Sequence, residues 1–236
     1  MPTRPFGRNN VTATEAVLVD ALGTLVDLEP PWVGLRPLVS DEISDTDLVE
    51  AVRAEMAYYR DHACEGRDPE SLADLRERCA EVLSSGLGSE SISAEQLVDA
   101  IRFAPFPDAI PSLEALGDRG MKLICVSNWD VSLAEVLDRC GLLEKFDDVV
   151  SSARAGISKP APEPFELALD LASCERDRAI HVGDSLEEDV SGALALGISP
   201  LFLDRESSLP ASEIPKGVPT INSLTEIENH LVEGKD

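Results

Sequence analysis

Positive charge is scarce in this chain. Its 236 residues carry 20 lysines and arginines against 45 aspartates and glutamates, a formal net charge of −25, and no lysine precedes Lys122. Such a surface repels the phosphates of nucleic acid and excludes it as a partner. The same excess burdens any phosphorylated substrate, whose site must be made locally cationic by a metal and a few bases. Paired cysteines are missing too. The five thiols (Cys64, Cys79, Cys125, Cys140, Cys174) are odd in number and form no CxxC motif, which excludes a disulfide framework and points to a reducing cytoplasm. Cys125 lies in an apolar run and reads as a small core residue. No stretch approaches the ~20 apolar residues of a membrane span. Met1–Asn10 lacks an apolar segment, so it does not read as a secretory signal. Residues 1–14 are expected to be a mobile tail.

What is present is an alternation of strand and helix. Val17–Val19, Lys122–Ser127, Asp148–Ser152, Ala179–Gly183 and Pro200–Leu203 are short and largely apolar, as strands are. Between them lie helical patterns over Ser112–Asp118, Ser132–Cys140, Pro164–Ala172 and Leu186–Leu196, several closed by glycine, and a last helix is expected from Ser223 to Val232. This order predicts an α/β fold, a parallel sheet covered on both faces.

The stretch from Pro30 to Ala104 breaks the rhythm. It shows no convincing strand. Leu48, Val52, Met56, Tyr59 and Ala63 recur at helical spacing. Asp68-Pro69 sets an N-cap with proline at N1, and Ser93 with Gln96 forms a capping box. A helical cap over residues 30–104 is therefore expected, inserted into a core of residues 15–29 and 105–236. Its hinges fall at Leu28–Pro31 and Ala104–Pro107. A lid over the carboxyl edge of the sheet would exclude water.

Four segments carry chemistry. Asp20 ends an apolar strand and is followed by a turn with Gly23 and Thr24, which places a carboxylate where open α/β sheets bind ligands. A carboxylate attacks phosphorus without deprotonation at neutral pH, provided the target's negative charge is neutralised. Ser127-Asn128 follows a second strand and offers a hydroxyl for a phosphoryl oxygen. Lys159 sits in a proline-braced loop, Lys159-Pro160-Ala161-Pro162, which suits a fixed cation. Gly183-Asp184 again joins strand end to acid, with Asp189 a helical turn later. Capping and helix-dipole roles account for such serines and acids taken singly.

The set, in this order, resembles the haloacid dehalogenase (HAD) superfamily over about residues 15–205. The resemblance implies a Rossmann-like, doubly wound parallel sheet with an α-helical cap inserted after the first motif. It implies Asp20 as nucleophile and metal ligand, Lys159 as catalytic cation, and Ser127, Asn128 and Thr24 as substrate contacts. Mg²⁺ would be held by Asp20, the Leu22 backbone carbonyl and Asp184, with Asp189 orienting Lys159 or a metal-bound water.

One position departs from the pattern. Phosphatases of this superfamily carry a second aspartate where this chain has Leu22, and that residue protonates the leaving oxygen. A cap donor among Tyr58, Tyr59 and His62 is one substitute, and a good leaving group another. Trp129 and Asp130 are placed to touch a ligand, whereas His181 reads as a core residue. Phosphonate cleavage is disfavoured because residues 30–104 contain no lysine. The expected activity is Mg²⁺-dependent hydrolysis of a small phosphorylated metabolite through an aspartyl-phosphate on Asp20. A metal-free 2-haloacid dehalogenase-like hydrolase, with Arg36 or another cap arginine cradling halide, and a degenerate non-catalytic member stand as alternatives.

Overall fold

Ala16–Val19, four fully buried residues, form β1 at the middle of the molecule. The later strands are β2 (Val26–Leu28), β3 (Phe103–Pro105), β4 (Lys122–Ser127), β5 (Asp148–Ser151), β6 (Ala179–Gly183), β7 (Ser199–Leu203) and β8 (Thr220–Ile221). The computed structural model describes residues 13–88 and 91–233. Of the expected mobile tail, residues 1–12 lie outside the described residues. Thr14 is tied to the far end of the chain, its N–H donating to the Val232 carbonyl at 2.9 Å.

Six strands form one parallel sheet in the order β5-β4-β1-β6-β7-β8. Neighbouring strand residues point to opposite faces. Val17, Val19, Leu123 and Cys125 enter one core, while Ala16, Leu18, Ile124 and Val126 enter the other. That double burial is why these strands read as continuous apolar runs rather than as alternating ones. The order reverses at β1, so the crevice beyond the carboxyl ends of β1, β4 and β6 is the binding position of a doubly wound sheet.

Helices α1 (Pro31–Leu35), α2 (Asp45–His62), α3 (Pro69–Gly86) and α4 (Ala94–Ala100) pack around a core of their own, including Leu35, Leu48, Val52, Leu75, Cys79, Leu83 and Leu97. Asp68 caps α3, accepting from the Glu70 and Ser71 N–H groups, and the Ser93–Gln96 box opens α4. The expectation of no strand beside these helices is corrected. β2 and β3 pair antiparallel, with Val26 opposite Pro105 and Leu28 opposite Phe103. The two proline-marked crossings thus form one ribbon.

On the sheet faces lie α5 (Ala109–Asp118), α6 (Leu133–Arg139), α7 (Ser152–Ala155), α8 (Pro162–Ala172) and α9 (Gly192–Leu196). Two expected helices differ in form. The Leu186–Leu196 segment opens with a π-helical turn over Leu186–Ser191 before α9. The last one is a 3₁₀ helix, Leu224–His230, although its Ser223–Glu226 capping box forms as expected. No helix among the described residues is long and apolar enough to cross a membrane.

Glu55 is a buried acid on the apolar face of α2, beside Cys79 of α3, and burial pushes its carboxyl up to about 7. Its folded value thus exceeds the ordinary 4.5. The protonated form stabilises the fold at low pH, and that contribution declines as pH rises from about 4.5 to 7. Glu55→Gln should therefore be neutral at pH 5 and stabilising at pH 8, on the order of 2 kcal/mol. Urea denaturation at both pH values checks this. Equal effects at the two would refute it.

Candidate active site

β1, β4 and β6 end side by side, and their C-terminal residues place the acids. Asp20 follows β1, its N–H bonded to the Val182 carbonyl of β6 at 2.9 Å. The turn after it requires Gly23, whose φ of +80° favours glycine and whose missing Cβ makes room for the Asp184 carboxylate. Gly183 makes the same room for Asp189. As a result, ligand oxygens of Asp20, Asp184 and Asp189 all lie within 4.8 Å of one another.

Lys159 is buried at the centre of this cluster. Its Nζ donates to Asp20 Oδ1 at 2.7 Å, Asp189 Oδ1 at 2.6 Å and the Val126 carbonyl at 2.8 Å, which engages all three ammonium protons. Ser127, at the end of β4, donates its hydroxyl to Asp20 Oδ1 at 2.9 Å. Asp20 Oδ1 thus takes two donors, while Oδ2 takes none from the described residues.

The structure brings Asp20, Ser127, Lys159, Asp184 and Asp189 together. Two other expected substrate contacts stand differently. Asn128 braces the lysine loop, its Nδ2 donating to the Lys159 carbonyl at 3.0 Å and its Oδ1 accepting from the Lys159 N–H at 2.7 Å. Thr24 is fully buried, and its Oγ1 has no hydrogen-bond partner among the described residues. Leu22, by contrast, is 40% exposed.

Electrostatics follow from burial and crowding. Desolvation raises the Asp20 carboxyl above its ordinary value, against the pull of Lys159. Burial acts in the same sense on Asp189, but Lys159 and His181 outweigh it and hold that carboxyl low. Desolvation would lower Lys159, yet the two aspartates raise it and keep it charged. Asp184 makes no direct ion pair with Lys159, whose charge only partly offsets what raises it. Desolvation and then the charges of Asp20 and Asp189 push it up to about 7.

Several contributors left little trace in the sequence. His181, expected only to fill the core, lies within 2.8 Å of Asp189 Oδ1 through Nε2. An ionised carboxylate only accepts, so Nε2 carries the donated proton. Arg205 forms a fork onto Asp108, both contacts 3.0 Å, and reaches the Thr24 carbonyl at 2.6 Å, which pins the turn after Asp20. The cap docks through Tyr59, whose hydroxyl donates to Asp130 Oδ2 at 2.9 Å. Tyr58 stacks on His62 and accepts from Arg78, so these three cap residues are engaged within the protein. Arg36 is likewise occupied, closing the loop before α2 onto the Ile43 and Ser40 carbonyls.

Between cap and core lies a cavity of about 180 Å³. Leu22, Asn128 and Trp129 contribute from the core, and Glu55, Tyr59 and Ile101 are among the cap residues that line it.

Comparison with known proteins bears on the family and the fold. A haloacid dehalogenase domain-containing protein 3 from Bos taurus is 36% identical over 125 residues, 53% of this chain and 49% of that protein. A glyceraldehyde 3-phosphate phosphatase from Methanothermobacter thermautotrophicus is 34% identical over 110 residues, 45% of this chain and 49% of that one. The chain thus spans about half the length of the curated relatives it matches. A HAD phosphatase structure from Thermococcus onnurineus superposes with a TM-score of 0.67 at 25% identity, covering 92% of this chain and 97% of that one. The family model of haloacid dehalogenase-like hydrolases matches residues 14–197, and the chain belongs to that family.

Proposed function

We propose that the protein is a Mg²⁺-dependent phosphomonoesterase that works through an aspartyl-phosphate on Asp20. One observation carries this reading: three carboxylates crowd within 4.8 Å, and the one nearby cation, Lys159, pairs directly with Asp20 and Asp189 but not with Asp184. Crowded carboxylates call for a cation, and an all-oxygen donor set suits Mg²⁺. Asp20, Asp184 and the Leu22 carbonyl would hold it. Bound there, it would supply the positive charge that a phosphoryl group requires in so acidic a protein.

The chain's own residues do the rest. The Asp20 carboxylate attacks phosphorus, a new acyl–O–P bond forms, and the ester P–O bond breaks with its electron pair on the leaving oxygen. Water then adds to phosphorus, the acyl–O–P bond breaks, and the Asp20 carboxylate is regenerated. Phosphate departs, and the second proton of the water is lost to solvent. Ser127 transfers its hydroxyl from Asp20 to a phosphoryl oxygen. Lys159 supplies fixed positive charge, and Asp189, itself oriented by His181, holds the lysine in place. Asn128 fixes the lysine backbone and Thr24 supports the turn beneath the phosphoryl group.

A panel of phosphomonoesters assayed with Mg²⁺ and with chelator tests the reading. Hydrolysis that requires Mg²⁺ supports it. Halide release from a 2-haloacid in chelator, without ester hydrolysis, would favour the dehalogenase alternative. Beryllofluoride binding at Asp20 without turnover of any ester would indicate a non-catalytic member. Because Leu22 faces the cavity and is 40% exposed, Leu22→Asp should raise kcat on alkyl phosphates by about 10²-fold, the lower range for a positioned acid–base. An unchanged rate would show that leaving-group protonation does not limit turnover.

A further inference from the structure

We infer that the cavity between cap and core receives the leaving group, and that the substrate is an aryl phosphate whose single ring bears a second anionic group. This rests on the phosphomonoesterase reading and deepens it. Three observations meet in one place. The first is Leu22. Without an acid at that position, the leaving oxygen must depart unprotonated. A phenol, with a pKa of about 10 as in tyrosine, does so far more readily than an alcohol whose pKa is close to the ~15.7 of water. The P–O(aryl) bond then breaks with its electron pair on the ring oxygen, which leaves as aryloxide and is protonated later in bulk water.

The second is size and lining. The cavity holds about 180 Å³, and its walls include Leu28, Met56, Leu97, Val98, Ile101 and Phe103. An apolar cavity of ~150 Å³ accepts a benzene ring. The single buried acid in the wall, Glu55, has its carboxyl pushed up to about 7 by burial, so close to half of it stays protonated at neutral pH and the repelling charge is reduced. The carboxylates themselves do not line the cavity, but Leu22, two residues after Asp20, and Asn128, next to Ser127, do, which sets the cavity beside the cluster.

The third is unused positive charge. Arg53, Arg60, Arg76 and Arg139 are the arginines among the described residues whose side chains make no hydrogen bond or ion pair, and all but Arg53 line this cavity. In a chain with more than twice as many acids as bases, three unpaired arginines around one apolar chamber mark an anion site. Arg60 and Arg139 are exposed and Arg76 is half-buried, so their stems can cover the ring while their guanidinium groups meet an anion near the solvent side.

Two measurements test this on the full chain with Mg²⁺. In the first, kcat/KM is compared for ethyl, phenyl and 4-carboxyphenyl phosphate. Phenyl should exceed ethyl by at least about 100-fold, and the carboxylate should add about tenfold through KM. Arg60→Ala/Arg76→Ala should erase the carboxylate's advantage, and Val98→Phe, which fills the chamber, should shrink the phenyl-to-ethyl ratio at least tenfold. In the second, calorimetry follows ethyl-, phenyl- and 4-carboxyphenylphosphonate, which are not hydrolysed. Affinity should rise in that order. Esters turned over without preference, with equal phosphonate affinities, would overturn the inference and leave the phosphomonoesterase reading intact. Ordered phosphonate affinities with no ester turnover would do the reverse. The wild-type series decides the matter even if a variant fails to fold.

Discussion

Asp20→Asn is expected to reduce phosphoester hydrolysis by at least about 10⁴-fold, the scale on which loss of a catalytic nucleophile falls. The amide is isosteric, and its oxygen can still accept from Ser127 and Lys159 as Asp20 Oδ1 does. Lys159 keeps Asp189 as a counter-ion. The fold should therefore survive, and the loss should appear in kcat rather than in thermal stability. A carboxamide is too poor a nucleophile to form the acyl–O–P bond. The charge of Asp20 is one of the causes that raise Asp184, so the variant should also let Asp184 ionise at lower pH. Steady-state kinetics with circular dichroism as a control checks the expectation. A well-folded variant that keeps even a tenth of wild-type activity would remove Asp20 from the mechanism.

Lys159→Met should be the most destabilising single change in the core. Methionine fills a similar volume but leaves the buried carboxyls of Asp20 and Asp189 facing one another without their shared cation. Removing one partner of a buried ion pair costs about 3–5 kcal/mol. The deficit must depend on pH. In the wild type, Lys159 and His181 hold Asp189 below its ordinary value against burial. That contribution is present above the carboxylate's unfolded pKa and is lost as pH falls. Without the lysine, burial and mutual repulsion raise both carboxyls above their unfolded values, so the penalty grows as pH rises. Urea denaturation should thus show a larger gap between variant and wild type at pH 8 than at pH 5. A constant gap would mean that the lost ammonium contributes packing rather than charge compensation.

The readable part of this protein was the part written locally. Asp20 and Asp184 each follow an apolar strand and precede a turn, and both signals lie within a few residues. The strand–helix alternation likewise follows from short-range periodicity, and the caps at Asp68, Ser93 and Ser223 formed where their side chains indicated. What could not be read depends on chain segments that meet only in the fold. β2 and β3 are three residues each and far apart in sequence, so no local pattern announces their pairing. The same holds for Arg205, which reaches back to the turn after Asp20, and for the join between His181 and Asp189. Glu55 was within reach. It lies seven residues after Leu48 on the face that also presents Val52, so helical periodicity alone places an acid among buried neighbours. The π-helical turn at Leu186–Ser191 has no such signature, because its extra residue per turn changes the hydrogen-bond ladder without changing composition.

The antiparallel ribbon has a consequence for modularity. Leu28 and Phe103 face each other across it, so the long helical segment leaves and rejoins at adjacent rungs, as a guest fitted to the tip of a hairpin. Its apolar centre is its own. A tight turn in its place would complete the hairpin without disturbing any strand of the main sheet. Under the proposed function, exchanging one such guest for another would change what is admitted while the machinery beneath stays as it was.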